Sequence, residues 1–196
     1  MATQKTTRFP LLVYPALARR WGALSIWLII AGSILTGVAY WYPEYADAFY
    51  PALLLAIIGG VLFCYTQLAK SAHVRCAKSH FVVRAPFYQM GISYLRIYEM
   101  RPTDFHRIFP PDQEKPFRRG QLHNLWAKTA IVVELKSYPV PEWWLRFSLG
   151  KYVMLPKGKG LVLVTEDWMG LSRQIDTARV EWADELRARR QAKHRR

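Results

Sequence analysis

Side chains that could catalyse a reaction or bind a metal are scattered along this chain of 196 residues. The five histidines lack the short spacings of a zinc site, and the two cysteines do not form a metal-type pair. The sequence contains no Gly-x-Ser-x-Gly elbow, Walker loop or Gly-x-Gly-x-x-Gly fingerprint. A hairpin turn explains the glycines of PKGKG at 156–160. We therefore expect a protein that is not an enzyme and needs no cofactor or metal.

The basic residues are the one abundant group with binding chemistry. The chain has 28 Lys and Arg against 14 Asp and Glu, a formal net charge of +14, and the last ten residues hold six cations and no acid. Beside an anionic leaflet, each Lys or Arg gains on the order of 1 kcal/mol within about one Debye length. A solubilising tail without a defined contact is the equal alternative. The candidate lipid-contact residues are Arg187, Arg189, Arg190, Lys193, Arg195 and Arg196.

Two uncharged runs predict a membrane anchor that would bring these cations to a membrane. Residues 21–40 and 51–69 contain no Asp, Glu, Lys, Arg or His. About 20 helical residues cross a hydrocarbon core roughly 30 Å thick. The connecting segment 41–50 is rich in Trp and Tyr, which favour the membrane–water interface. The pattern predicts a transmembrane hairpin with spans 21–40 and 51–69.

The charges beside the hairpin predict its orientation. Four cations precede the first span and three follow the second, whereas the connecting segment has Glu44 and Asp47 and no cation. The positive-inside rule then predicts a multi-pass protein of the cell membrane with both termini in the cytoplasm. We expect residues 1–20 to form an interfacial lead-in at the cytoplasmic surface; a proline-broken extension of the first helix is the alternative. 

Small residues spaced four apart predict how the two spans pack. Small-xxx-small spacing lets helix backbones approach closely in lipid. The expected use is packing of the hairpin against itself, with contact to another membrane subunit as the less specific alternative. The predicted packing residues are Ser33, Gly37, Ala56 and Gly60.

Residues 70–186 have the pattern of a strand-rich domain. Alternating apolar residues predict strands at 79–85, 129–136 and 143–149, and YVML and LVLV on either side of 156–160 predict a further pair. A slip in the alternation between Tyr94 and Ile97 predicts a bulge. Apolar residues at helical spacing from Trp168 to Leu186 then predict a long helix, with 187–196 as a basic tail that frays.

A resemblance to a known family rests on the hairpin and on FVVRAPFYQMGISYLRIYEMRP at 81–102. With Ile92, Tyr94, Ile97 and Met100 at its apolar positions, this segment resembles the bacterial membrane-anchored pleckstrin-homology-like (PH-like) proteins. The resemblance implies a membrane-anchored α+β protein: the hairpin, then a PH-like antiparallel β-barrel or sandwich over 70–186, capped by a C-terminal amphipathic helix. RCAKSH at 75–80 and the long segment 101–128 depart from the family pattern.

The segment 101–128 has four prolines and several apolar residues. Long connections in compact domains are often functional. Its apolar residues either fold back as a strand at 105–109 over the core or dock onto a protein partner. The candidate partner-contact residues are Phe117, Arg118, Arg119 and Trp126, together with Trp144.

These features favour a non-catalytic, membrane-anchored binding or scaffold module, such as an accessory subunit of a larger membrane complex. Its partners would be membrane lipids and a protein in the membrane or cytoplasm, and its anchoring argues against nucleic acid. The alternative is a lipid-handling or envelope-stress protein that holds an amphiphile in the PH-like body. An apolar pocket of several hundred Å³ with convergent polar groups would favour the alternative. A filled barrel with an exposed aromatic patch would favour the scaffold.

Overall fold

A long antiparallel helical hairpin stands on a strand-rich body in the computed structural model, which describes residues 7–194. Helix α1 (Val13–Trp41) and helix α2 (Phe49–Lys70) are joined by a short 3-10 segment, Pro43–Ala48. Both helices are long and apolar enough to cross a membrane. Both begin earlier than the predicted spans. The first two turns of α1 belong to the folded body.

Within residues 7–194, seven strands form two antiparallel sheets. The first sheet has the order β1-β2-β3-β4, and the second has the order β5-β6-β7. With the terminal helix described below, these elements give the α+β architecture that the alternating pattern predicts. The strands of the first sheet are Arg8–Pro10, His73–Cys76, His80–Arg84 and Gln89–Ser93, and those of the second are Ile97–Asp104, Thr129–Leu135 and Gly160–Val164.

The hairpin is inserted into the first sheet between β1 and β2. Phe9 pairs with Val74, and the backbone N–H of Leu11 donates to the carbonyl of Ala72 over 3.0 Å. The side chains of Phe9 and Leu11 are buried in the core. Residues 8–20 are therefore part of the folded body, and the interfacial lead-in expected for 1–20 does not describe them. Residues 1–6 lie outside the described part of the chain.

The two helices pack through small residues that recur every seven positions. A Cβ on Gly32 would lie 2.5 Å from the backbone nitrogen of Ala56, and one on Gly59 would lie 2.8 Å from that of Ile29. Of the four predicted packing residues, only Ala56 therefore lies at the contact. Ser33 is exposed, and a Cβ on Gly37 or Gly60 would meet nothing within 4 Å. A seven-residue period suits helices that supercoil. The buried small residues are Ala18, Ser25, Gly32 and Ala39 in α1 and Ala52, Gly59 and Thr66 in α2.

A corner, rather than a bulge, explains the slip after Tyr94. Residues Tyr94–Arg96 form a 3-10 turn that carries the chain from β4 in the first sheet to β5 in the second. Tyr94, the first residue of the turn, and Ile97, the first residue of β5, are both buried. A local irregularity in pairing does occur, but it lies between Ile97 and Glu99 at the start of β5.

The strand predicted at 143–149 is wrong, because these residues form helix α5 (Glu142–Leu149). Leu145 and Leu149 are buried, and a spacing of four satisfies both an alternating and a helical pattern. Pro141 precedes the helix, and Glu142 pairs with Arg146 one turn later, with 2.8 Å between Oε1 and Nη2. The strand predicted for YVML at 152–155 is also wrong. Its predicted partner LVLV lies in β7, but in 152–155 only Met154 forms a β-bridge, to Leu161.

The segment 101–128 folds back over the core, but as helices. Strand β5 continues to Asp104, and the strand predicted at 105–109 is instead helix α3 (Phe105–Ile108). Phe105 and Phe109 are buried, with ring centroids 5.1 Å apart. Helix α4 (Pro116–Trp126) follows and packs against the first turns of α1.

Helix α6 (Trp168–His194) begins beside the hairpin and runs away from it. Its start is capped by Asp167, whose Oδ1 accepts from the N–H of Gly170 over 2.8 Å. Val164, just before the helix, accepts from the N–H of Leu12 near the start of α1. Leu171 and Ile175 are buried as the stripe predicts, but the helix does not fray at 187 and continues to His194.

Candidate functional site

A cavity of about 890 Å³ lies where the hairpin joins the folded body. The first turns of α1 and the end of α2 form one side of it. The turn between β3 and β4, at 86–88, forms a second side, and the segments 113–118 and 144–152 form the rest. We call this cavity the junction pocket. Two further cavities, of about 460 and 400 Å³, are smaller.

The wall nearest the hairpin is aromatic. The ring of Tyr65 in α2 stacks on Phe87 with 5.7 Å between centroids. Trp144 in α5 meets the edge of Tyr88 at 6.4 Å and lies 6.2 Å from Phe147. These rings offer a broad apolar surface with few polar atoms. The aromatic side chains that line the pocket are Trp21, Tyr65, Phe87, Tyr88, Trp144, Phe147, Tyr14 and Tyr152.

The opposite end of the pocket is built around a buried carboxylate. The side chain of Glu114 is only 7% exposed, and its Oε1 lies 2.5 Å from the ammonium nitrogen of Lys151. The hydroxyl of Tyr152 donates to the other oxygen, Oε2, over 2.7 Å. Lys115 and Arg118 also line this end, so three cations surround one carboxylate. The polar end therefore has an excess of positive charge.

Hydrogen bonds keep Glu114 ionised despite its burial. Desolvation is the largest single influence and raises the pKa of this carboxyl. The hydrogen bonds from Lys151 and Tyr152, with the positive charges of Lys151 and Arg118, together outweigh it, so the pKa lies below the ordinary 4.5. Burial, followed by the bond to Glu114, raises the pKa of Tyr152 to about 12, so its hydroxyl stays a donor at neutral pH.

Helix α4 places Arg118 at the pocket by docking on α1. The side-chain amide nitrogen of Gln121 donates to the carbonyl of Leu17 over 3.2 Å. One turn earlier, the guanidinium of Arg20 lies 5.5 Å from the ring centre of Phe117. Arg118 donates to Oε1 of Gln121 over 3.3 Å, which holds it on the side that faces the pocket.

The structure separates the five predicted partner-contact residues. Arg118 and Trp144 line the pocket, and Phe117 lies beside it, half-exposed under Arg20. Arg119 instead donates to the carbonyls of Glu114 and Asp112, over 3.0 Å each, and so holds the loop that carries Glu114. Trp126 packs against the hydrophobic core. Arg119 and Trp126 therefore have structural contacts.

The predicted lipid-contact residues Arg187, Arg189 and Arg190 lie in the C-terminal part of α6. This helix contacts β2 and the 3-10 turn Tyr94–Arg96. From Glu181, α6 continues for about 20 Å to His194. Arg187 and Arg189 pair with Asp184 and Glu185 within the helix, and Arg190 is exposed. The side chain of Lys193 and the residues Arg195 and Arg196 lie outside the described part of the chain.

A different group of cations surrounds the base of the hairpin. Two belong to the first turns of α1, one ends α2, and three belong to the polar end of the junction pocket. We call this group the basal cations. The basal cations are Arg19, Arg20, Lys70, Lys115, Arg118 and Lys151.

The pocket residues Glu114, Lys151 and Tyr152 were not predicted from the sequence. Glu114 and Lys151 are 37 positions apart, and no spacing rule connects them. Gly150, with φ of +79°, turns the chain after α5 and brings Lys151 and Tyr152 toward the pocket. Within residues 7–194, no group of three or more His, Cys, Asp or Glu is placed to hold a metal ion. The arrangement suits binding of a molecule with an acidic group and an apolar part.

We compared the chain with models of known protein families, with curated proteins and with solved structures, and none of the three comparisons finds a match. The residues of the junction pocket and of the hairpin base therefore carry the functional argument. Their main features are a buried carboxylate held by Lys151 and Tyr152, an excess of cations, and aromatic walls next to the apolar helices.

Proposed function

We propose that this protein is a non-catalytic, membrane-anchored binding module that holds an acidic amphiphile in the junction pocket. The hairpin spans the cell membrane, both termini face the cytoplasm, and the PH-like body lies against the inner leaflet. The ligand's acidic group lies at the polar end, near Lys115, Arg118 and Lys151, and its apolar part lies along the aromatic wall. This proposal takes the second of the two functions that the sequence suggests.

The surface of the hairpin supports membrane anchoring. Large apolar side chains such as Trp27, Ile34 and Val61 are exposed on α1 and α2, although the small residues between the helices are buried. An apolar surface of this extent is unfavourable in water and is covered in a bilayer. The basal cations at one end, and the acids Glu44 and Asp47 at the other, support the proposed orientation.

The arrangement of strands supports the PH-like assignment. Two antiparallel sheets, of four and three strands, are followed by the terminal helix α6. Leu171, Ile175 and Ala178 of α6 are buried against the sheets. This is the combination of β-sandwich and C-terminal amphipathic helix that the resemblance implies.

The junction pocket is the observation that carries the ligand proposal. Its volume of about 890 Å³ falls within the range of roughly 300–1,000 Å³ that small-molecule sites occupy. An uncharged ligand would leave the excess cations without a use, whereas a fully polar ligand would leave the aromatic wall bare. A molecule with an acidic group and an apolar chain matches both ends. A scaffold needs no such cavity.

The binding test uses the full-length protein in a non-ionic detergent and native mass spectrometry. We titrate it with phosphatidylglycerol, which is acidic, or with phosphatidylcholine, which is zwitterionic. We expect one phosphatidylglycerol to be retained per chain and phosphatidylcholine to be lost. Replacing Lys115 and Arg118 together by Gln should weaken retention by about thirtyfold, because each of the two cations near an acidic headgroup is worth on the order of 1 kcal/mol.

A matched pair and a competitor distinguish the explanations. Arg187→Gln with Arg190→Gln removes the same charge from α6, and we expect no change in retention. Inorganic phosphate tests whether the acidic group alone is the ligand. Full displacement by phosphate, equal retention of both lipids, or an equal effect of the α6 pair would contradict the proposal.

A further inference from the structure

Three large aromatic side chains project into solvent beside the hairpin. Phe87 is 72% exposed, Trp143 is 69% exposed and Phe147 is 83% exposed. Phe87 lies in the turn between β3 and β4, and Trp143 and Phe147 lie four positions apart on α5. A spacing of four puts two side chains on the same side of a helix. We call these three residues the aromatic face.

Two sets of ring contacts, linked by the peptide bond between Phe87 and Tyr88, join the aromatic face to the hairpin. Phe87 stacks on Tyr65 of α2, at 5.7 Å between centroids. Its neighbour Tyr88 contacts Trp144 at 6.4 Å, and Trp144 in turn contacts Trp143 at 5.6 Å and Phe147 at 6.2 Å. The apolar surface of the hairpin therefore continues onto the folded body without a polar gap in this series.

Tyr65 fixes the level of this surface relative to the bilayer. It precedes Lys70, the last residue of α2, by five positions, which is about 7.5 Å along the helix axis. In the proposed topology Lys70 reaches the headgroups, and Tyr65 lies at the boundary between headgroups and hydrocarbon, where aromatic side chains concentrate. Phe87 lies at the same level because its ring stacks on Tyr65.

Helix α5 has the two-sided character of a helix that lies on a membrane. Leu145 and Leu149 pack into the core, and the carbonyl of Leu149 accepts from the hydroxyl of Tyr14 in α1 over 3.0 Å. The helix is thus fixed to the base of the hairpin on its inner side. Trp143 and Phe147 project from its outer side. Lys151 and Lys115, close by at the pocket, match the charge of an acidic leaflet.

We propose that the aromatic face inserts shallowly into the inner leaflet and holds the folded body in a fixed orientation on it. The occupant of this surface is lipid. The inference rests on insertion of the hairpin, which is part of the proposed function, but it is independent of a ligand in the junction pocket.

The experiment places an environment-sensitive fluorophore on single cysteines of the full-length protein. Cys64→Ser removes the exposed thiol, and the buried Cys76 is left in place because burial raises its thiol pKa to about 11. Phe147→Cys reports on the aromatic face, Leu54→Cys on the hairpin and Val180→Cys on α6. All three native side chains are exposed. The protein is reconstituted into vesicles of phosphatidylcholine and phosphatidylglycerol.

Two quenchers read the depth of each label. Shallow spin-labelled lipid should quench the label at position 147, and aqueous iodide should reach it at least fivefold less than it reaches position 180. Deep spin-labelled lipid should quench the label at position 54. Iodide access at 147 equal to that at 180, with no quenching by lipid, overturns the inference.

The remaining outcomes are also decisive. A label at position 54 that lipid does not quench refutes insertion of the hairpin and this inference together. A label at 147 that is shielded from iodide but not quenched by lipid indicates a bound protein and overturns the lipid assignment. Trp143→Ser with the label at 147 should increase iodide access, whereas Tyr98→Ser, at an exposed position of β5, should leave it unchanged.

Discussion

Glu114 is held in place by residues from two separate parts of the chain. Its carboxylate contacts Lys151 and Tyr152, and its backbone carbonyl accepts from Arg119. Removing one partner from a buried charge costs more than the contact itself contributes, because the charge stays buried without compensation. Glu114 therefore depends on Lys151 and Tyr152 for compensation of its buried charge.

The lowered pKa of Glu114 predicts a pH-dependent contribution to stability. Because the folded pKa lies below the ordinary 4.5, the contribution is complete above about pH 4.5 and is lost as pH falls through the folded value. Glu114→Gln should lower the free energy of unfolding at pH 7 by about 2 kcal/mol, the loss of hydrogen bonds to a buried charge. We measure thermal unfolding of both proteins in detergent from pH 7 to pH 3.

The difference between wild type and Glu114→Gln should stay constant down to about pH 5 and shrink below it. Glu99→Gln, at an exposed position on β5, is the matched control and should change little at any pH. A difference that is equal at pH 7 and pH 3 would mean that the charge of Glu114 is not what stabilises the fold.

In the hairpin, the spacing of the small residues determines which of them contact the other helix. The glycines that touch the partner helix are Gly32 and Gly59, whereas Gly37 and Gly60 face outward. Four-residue spacing selects several combinations of small residues, and only the seven-residue repeat through Ala18, Ser25 and Gly32 follows a single seam.

Leucine substitutions should have different effects at the glycines that contact the other helix and at those that face outward. Gly32→Leu and Gly59→Leu should force the helices apart, because a Cβ at either position already lies under 3 Å from backbone. Gly37→Leu and Gly60→Leu should leave the hairpin intact, since each Cβ meets open space. Crosslinking between cysteines introduced at Ala39 and Ala52 measures helix contact. Equal crosslinking in all four variants would refute this seam.

Helix α5 provides a second test at this scale. As a helix it buries Leu145 and Leu149 and exposes Phe147; as a strand it would bury Phe147 with them. Leu149→Ala should destabilise the protein by about 2–5 kcal/mol, the usual cost of truncating a buried leucine. Phe147→Ala should cost less than about 0.5 kcal/mol in detergent. Chemical denaturation compares the two, and equal losses would support the strand.

The sequence predicts those strands whose own residues alternate or are β-branched, such as 80–84, 129–135 and 160–164. It does not predict β1, which has three residues and whose partner lies more than 60 positions away, or β2, which has only four residues. It assigns 143–149 to the wrong element because leucines four apart fit both periods. The aromatic part of the site was partly predicted through Trp144, but contacts between Glu114 and Lys151 depend on the fold alone.

For the whole molecule, the proposed orientation separates two exposed positions. Asp47 lies in the connection between the helices, and Arg190 lies near the end of α6. In a Cys64→Ser background, Asp47→Cys should react with a membrane-impermeant maleimide in intact cells, and Arg190→Cys should react only after permeabilisation. We measure the labelled fraction by gel shift. Labelling of Arg190→Cys but not of Asp47→Cys in intact cells would mean the opposite topology. Labelling of both positions in intact cells would contradict a cytoplasmic C-terminus.

The insertion of the hairpin between β1 and β2 links formation of the first sheet to formation of the hairpin. Strand β1 is synthesised before either long helix, yet it pairs with Val74, which is synthesised after both. The first sheet can close only when the helices have folded back and returned the chain to the side on which it began. In a chain whose two helices have not folded back, β2 keeps an open edge and β1 remains unpaired.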